Sequence, residues 1–168
     1  GEIDAALARR ARAAGGAPAQ PAAEARLAGL FVQAEDHIAA RHWYTRALET
    51  GRAARYAVLV PLGDVQLRLG LVQEAKATLD AALAERESAP VLVARGYVAE
   101  QLGDLEAAIR YYRRAVRADP GNVIASNNLA MALIRPDMNP EEAVVHATYA
   151  YETLPGNALV LGTYALAM

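Results

Sequence analysis

The chain has no cysteine, so disulfides, thiolate catalysis and cysteine-ligated metal sites are excluded, while the redox character of its compartment is left open. Lysine is nearly absent: sixteen of the seventeen basic residues are arginine, and Lys76 stands alone. Aromatic residues make up 6% of the 168 residues, with one Phe and one Trp, although 54% of the chain is hydrophobic. Ile and Thr are scarce, which argues against an all-β fold. No run of about 18 apolar residues occurs, so no segment reads as a membrane-spanning helix. Neither sign of charge dominates, and a net charge of −2 argues against a protein built around phosphate contacts and hence against nucleic-acid binding. A disordered chain is excluded in turn by a mean hydropathy of +0.07 with 21% charged residues. Alanine fills the gap and is the commonest residue in the chain. It is the best helix former, and it lets helices approach closely.

Those alanines and the glycines recur at a fixed interval. Leu62-Gly63, Gly70, Ala75, Leu79 and Ala82 reappear one interval later as Gly96, Gly103, Ala108, Tyr112 and Ala115. Leu129-Ala130, Ala143, Ala147 and Ala150 continue the series with one extra residue between helices, and Leu27-Ala28, Phe31, Ala40, Tyr44 and Ala47 precede it. Four repeats with a period near 34 result, each a helix–turn–helix. In the cleanest, Ser88 is a candidate N-cap with Pro90 in the first turn, where its missing N–H is harmless. Gly103 stops that helix in a left-handed conformation, and Asp104 caps a second one expected from Leu105 to Ala118. Asp119-Pro120-Gly121-Asn122 turns the chain. The fourth repeat follows the same plan: a helix from Asn122, a turn over 136–140, and a helix opening on Pro140-Glu141-Glu142, whose acids suit the positive end of a helix dipole. Pro61 falls inside an expected helix, so a kink or a late start is expected there.

Small residues at Gly63, Gly96 and Ala130 join Ala40, Ala75, Ala108 and Ala143 early in the second helices. Tyr44, Leu79, Tyr112 and Ala147 follow, then Ala47, Ala82, Ala115 and Ala150, with Pro120 and Pro155 ending their repeats. This pattern resembles the tetratricopeptide repeat family over about residues 21–168. The resemblance implies an all-α fold, a right-handed α-solenoid of antiparallel helix pairs with about four full repeats and partial repeats at both ends. It divides the chain into an N-terminal helix over 1–14, a loop over 15–21 and an array over 22–168. The repeats within the array are 21–54, 56–88, 89–122 and 123–156, with a partial repeat over 157–168. A single repeat cannot bury its apolar face, so stacking supplies the core, with Leu92, Leu102, Ile109 and Tyr112 expected to fill the space between repeats. Both ends read as cut from a longer array: the N-terminal helix has no partner, and the apolar 158–168 helix (Leu159, Val160, Leu161, Tyr164, Leu166) has none either.

Residues fit for catalysis are few. His37, His42 and His146 are the three histidines, the first two badly spaced for one helix face, and nothing with metal-ligand spacing surrounds them. Ser88 and Ser126 lack a nucleophile's surroundings. Gly15-Gly16 is not part of a phosphate loop. The expectation is a non-enzyme with no cofactor and no metal. Arg110, Arg113, Arg114 and Arg117 form a basic stripe, read as a solvated outer face in which Glu106 pairs with Arg110.

The family resemblance places partner binding in a concave groove lined by first helices. At the matching positions stand Val60, Asp64, Leu67 and Arg68, then Val93, Tyr97, Glu100 and Gln101, then Asn127, Met131, Ile134 and Arg135. These are expected on the face turned away from each second helix. The family's carboxylate clamp is not matched, since its places hold Ala25, Gly29, Pro61, Pro90 and Ala94. The asparagine ladder is limited to Asn127-Asn128. The expected function is therefore a non-catalytic scaffold that binds a peptide, a helix or a folded partner. By analogy it would serve a bacterial secretion, pilus or polysaccharide-export assembly, with cytoplasm and periplasm both compatible. The alternative is a self-associating spacer segment of a larger protein, a homo-oligomer formed through the terminal helices.

Overall fold

The computed structural model describes residues 23–51, 53–135 and 137–168, together with residue 9. Among these residues there are nine helices and no strand. In chain order they are α1 (Ala23–Gln33), α2 (His37–Thr50), α3 (Arg55–Arg68), α4 (Val72–Glu85), α5 (Ala89–Gln101), α6 (Leu105–Ala118), α7 (Val123–Leu133), α8 (Pro140–Thr153) and α9 (Ala158–Ala167). The chain is an all-α helical repeat. Apart from residue 9, the helix expected over 1–14 and the loop over 15–21 lie outside the described residues, as does Pro136 of the expected turn. Two compact units divide the chain, Gly1–Glu85 and Arg86–Met168.

Helix ends follow local chemistry. Asp36, Asp104, Asn122, Asn139 and Asn157 each accept a hydrogen bond from a backbone N–H in the first turn that follows. Such a cap satisfies a donor the helix leaves orphaned. Gly70 and Gly103, at matching places in successive repeats, adopt φ of 72° and 78°. At Gly103 the Asp104 N–H bonds back to Ala99 and the Gly103 N–H to Glu100, both at 2.9 Å, and Leu71 and Gly70 repeat the pattern on Gln66 and Leu67. This double bond ties off the last helical carbonyls and needs a left-handed residue at the glycine's place. Glu35 does the same between α1 and α2 at φ 57°, without being glycine.

In the first unit α1 packs on α2, α2 on α3, and α3 on α4. Leu27, Phe31, Trp43, Tyr44, Val58, Leu62 and Val65 form the core with Ala28, Ala39, Ala40 and Ala47. In the second unit α5 packs on α6, α6 on α7, α7 on α8 and α8 on α9, while α7 also touches both α5 and α9. Ala99, Ala108, Ile109, Tyr112, Leu129, Ala132, Leu133 and Ala143 cluster there. The small residues at the repeat positions are sites of closest approach. A Cβ on Gly63 would lie 2.6 Å from Leu79 Cδ2, and one on Gly96 would lie 2.6 Å from Tyr112 Cδ1. Ala75, Ala108, Ala143, Ala82, Ala115 and Ala150 are wholly buried.

Two expectations about packing need correction. Helix α3 does not start late at Pro61: it runs from Arg55 to Arg68 with the proline inside. Burial of Val58, Leu59, Leu62 and Val65 on either side holds the helix, because tertiary packing outweighs one lost ladder bond. Leu102 does not fill the core either. It sits at the C-cap of α5, 43% exposed, whereas Leu92, Ile109 and Tyr112 are buried as expected.

Candidate functional site

The chemistry-bearing groups outside the first helices are mostly occupied by one another. Arg113 grips Glu142 with two bonds, Nε at 2.9 Å and Nη2 at 2.6 Å, joining α6 to α8. That grip holds the Glu142 carboxyl below its usual range. His146 lies 3.9 Å from the same carboxylate, and burial lowers its pKa against that carboxylate's pull. Arg114 reaches Glu87 at 2.5 Å and Arg110 lies 3.8 Å from Glu106. The basic stripe is thus largely cross-linked rather than simply solvated. The partners of Arg113 and Arg114 lie 29 and 27 residues away in sequence, beyond any local pattern. No group of three His, Asp or Glu able to hold a metal occurs among the described residues.

The sequence-derived face splits between the two units. In the first, Val60, Asp64, Leu67 and Arg68 lie on α3 with Asp64 and Arg68 exposed. Arg68 Nε donates to Asp64 Oδ2 at 2.9 Å, one helical turn away. Asp64 also acts on Tyr44 of α2, whose hydroxyl is pushed above its ordinary value by burial first and by that negative charge second. In the second unit, Val93, Tyr97, Glu100 and Gln101 lie on α5, and Asn127, Met131, Ile134 and Arg135 on or just after α7. Tyr97 is 43% exposed and Met131 44%, although both helices bury most of their other apolar residues.

Glu100 departs from the expectation that these residues turn away from the second helix. The hydroxyl of Tyr112 on α6 donates to its Oε2 at 2.8 Å. Tyr112 reaches that far because its ring lies across Gly96, where no side chain blocks it. Burial raises the pKa of the Glu100 carboxyl, and the Tyr112 bond offsets this in part. Tyr112 itself is raised strongly, by burial and then by the Glu100 charge, with Tyr97 contributing. Tyr97, Glu100 and the Tyr112 hydroxyl therefore converge. The only sequence signal for this was an acid and a tyrosine standing on either side of one turn. On α7, Asn127 Oδ1 is buried with no hydrogen-bond partner. Arg95, the one cation on α5, is turned to Tyr111 of α6, donating to its hydroxyl at 3.2 Å and lying 4.8 Å from its ring centre.

A family model described as tetratricopeptide repeat matches residues 60–123 and 93–135, two matches whose starts are offset by the interval that separates Gly70 from Gly103. No curated protein matches the chain. Among solved structures, a tetratricopeptide repeat protein from Parabacteroides merdae ATCC 43184 is 22% identical with a TM-score of 0.70, covering 86% of this chain. This chain spans only 57% of that protein's length. YrrB, described as a TPR protein with an unusual peptide-binding site, is 22% identical with a TM-score of 0.69, covering 96% of this chain and 81% of its own. The 41-end segment of MamA from Desulfovibrio magneticus RS-1 is 20% identical with a TM-score of 0.71, covering 90% and 84%. At these identities the likeness is one of fold.

Proposed function

We propose, on the premise that this chain is a tetratricopeptide repeat protein over residues 60–135, that it is a non-catalytic scaffold holding a peptide, a helix or a folded partner on its first-helix faces. Repeats of this kind generally serve protein–protein interaction. The observation that carries the reading here is the pair Tyr97 and Met131. Each is a large apolar side chain left more than two-fifths exposed, on helices that touch each other. Tyrosine and methionine suit a contact surface, one rigid and amphipathic, the other adaptable. We carry Val60, Asp64, Leu67 and Arg68 as the contacting face of the first unit, and Val93, Tyr97, Glu100, Asn127, Met131 and Arg135 as that of the second. A bacterial secretion, pilus or polysaccharide-export assembly is the setting we put forward by analogy.

Capture from lysate of the source cell, compared between the wild type and a Tyr97→Glu/Met131→Glu variant, tests this reading. The variant is expected to lose the captured partner while its helicity and melting temperature stay at the wild-type value. A partner retained by the double variant places binding elsewhere.

A second reading is favoured by α9. Leu159, Leu161 and Leu166 there and Met168 just after it are all exposed, Leu159 at 78%. An apolar patch of that kind supports self-association. Light scattering over a concentration series distinguishes the two readings. A monomer at every concentration rules out self-association, and a dimer that Leu159→Glu/Leu166→Glu dissolves supports it.

A further inference from the structure

The identity of the occupant on the second unit's face can be narrowed, resting on the scaffold reading above. Among the described residues several acids meet a cation: Asp64 has Arg68, Glu74 has Arg41, Asp80 has Lys76, Glu85 has Arg55, Glu87 has Arg114 and Glu142 has Arg113. Glu100 is different. Half-buried on α5, it receives only the neutral hydroxyl of Tyr112 among the described residues, and no cation acts on it. A partly desolvated carboxylate without a counterion is a standing demand for one. Among the described residues the demand goes unanswered. Arg95 on the same helix is held by Tyr111. Arg135, just past α7, lies one turn beyond Met131 and makes no bond to Glu100. On α7, which touches α5, Asn127 Oδ1 is a buried acceptor without a donor. Exposed Tyr97 lies about one turn before Glu100 on α5, and exposed Met131 one turn after Asn127 on α7.

We infer that the α5–α7 face takes a polypeptide segment presenting a lysine or arginine side chain next to an apolar one. The cation meets the Glu100 carboxylate, and the apolar neighbour packs against Tyr97 and Met131. The carboxylate is preorganised for this: the Tyr112 bond fixes one oxygen and leaves the other free to accept. The charge on Glu100 therefore selects the partner, while the apolar pair supplies contact area.

The test uses the full chain and a randomised dodecapeptide display library. Peptides enriched on the wild type are expected to be rich in Lys or Arg beside Leu, Ile, Phe or Met. Their affinity, followed by fluorescence polarisation, is expected to fall about tenfold in Glu100→Gln and to weaken as salt is raised. Glu100→Lys should turn the preference towards acidic peptides, and thermal melts of both variants confirm that each is folded. Enriched peptides without basic residues overturn the inference and leave the scaffold reading in place. So does an affinity unchanged in Glu100→Gln but abolished in Tyr97→Glu/Met131→Glu. Peptides that bind the double variant undisturbed overturn the scaffold reading itself, and a library with no enriched peptide overturns both.

Discussion

Each compact unit sets a tyrosine at one repeat position close to an acid, but the two acids stand at different places and are handled in opposite ways. In the first, Tyr44 on a second helix stands near Asp64, whose charge Arg68 neutralises one turn along the same helix. In the second, Tyr112 stands under Glu100, and no arginine follows at a helical turn's distance. Both tyrosines occupy the same repeat position, at the same spacing after Ala28 and Gly96 respectively. One unit closes its acid internally and the other leaves it open. Identical scaffolding can thus hold a self-satisfied face and a face that asks for a partner, and the choice rests on a few side chains outside the repeat signature.

The strongest way to break this comparison is to disturb the tyrosine that supports Glu100. A methyl group at Gly96 overlaps the rigid Tyr112 ring, which is wholly buried and cannot move aside. Gly96→Ala is expected to cost about 1–3 kcal/mol in chemical denaturation and to weaken whatever binding depends on Glu100. Gly63→Ala, pressing on the more flexible Leu79, is expected to cost less. Equal costs would show that ring rigidity is not what separates the units.

A smaller effect lies in the ion pairs. Glu142, whose pKa is depressed by Arg113, stabilises the fold at pH values above its unfolded-state pKa. That stability is lost as pH falls through the depressed folded-state value. Glu142→Gln is expected to cost about 0.5–1 kcal/mol at neutral pH and to flatten the acid limb of the stability curve. Glu100 has the opposite sign, since its folded-state pKa is raised. Its ionisation opposes folding increasingly as pH rises from the unfolded value through the folded one. Glu100→Gln is therefore expected to be neutral or stabilising at pH 7, and thermal melts against pH separate the two behaviours.

The smallest effect concerns the α1–α2 turn. Glu35 takes the left-handed conformation that Gly70 and Gly103 take in the later repeats. Glu35→Gly is expected to raise stability by about 0.5 kcal/mol, the relief of left-handed strain exceeding the extra entropy of a glycine in the unfolded chain. A loss on denaturation would show that the Glu35 side chain matters more to the first unit than its backbone does.

Much of the fold was legible before any coordinates. Helix α6 has the bounds that Asp104 and the Asp119-Pro120 turn imply, because caps and breakers act over a few residues. The left-handed turn at Glu35 was not legible, since no glycine marks it. Between a kink and a late start at Pro61 the sequence could not choose, and the run of α3 from Arg55 rules out the late start. On the candidate face, the family resemblance proposed Tyr97 and Met131, which are left exposed, but it could not say that Glu100 turns to Tyr112.

By itself, the sequence determined the helical class, the repeat period and the places of closest approach. Those depend on local propensity and on small residues recurring in register. Only the tertiary structure decided which charges are spent within the fold. Arg113 with Glu142 and Arg114 with Glu87 are joined across 29 and 27 residues by the packing of helices, and the same packing leaves Glu100 with a tyrosine hydroxyl in place of a cation. Electrostatic pairing falls off over a few ångströms in space, and distance along the chain does not report it.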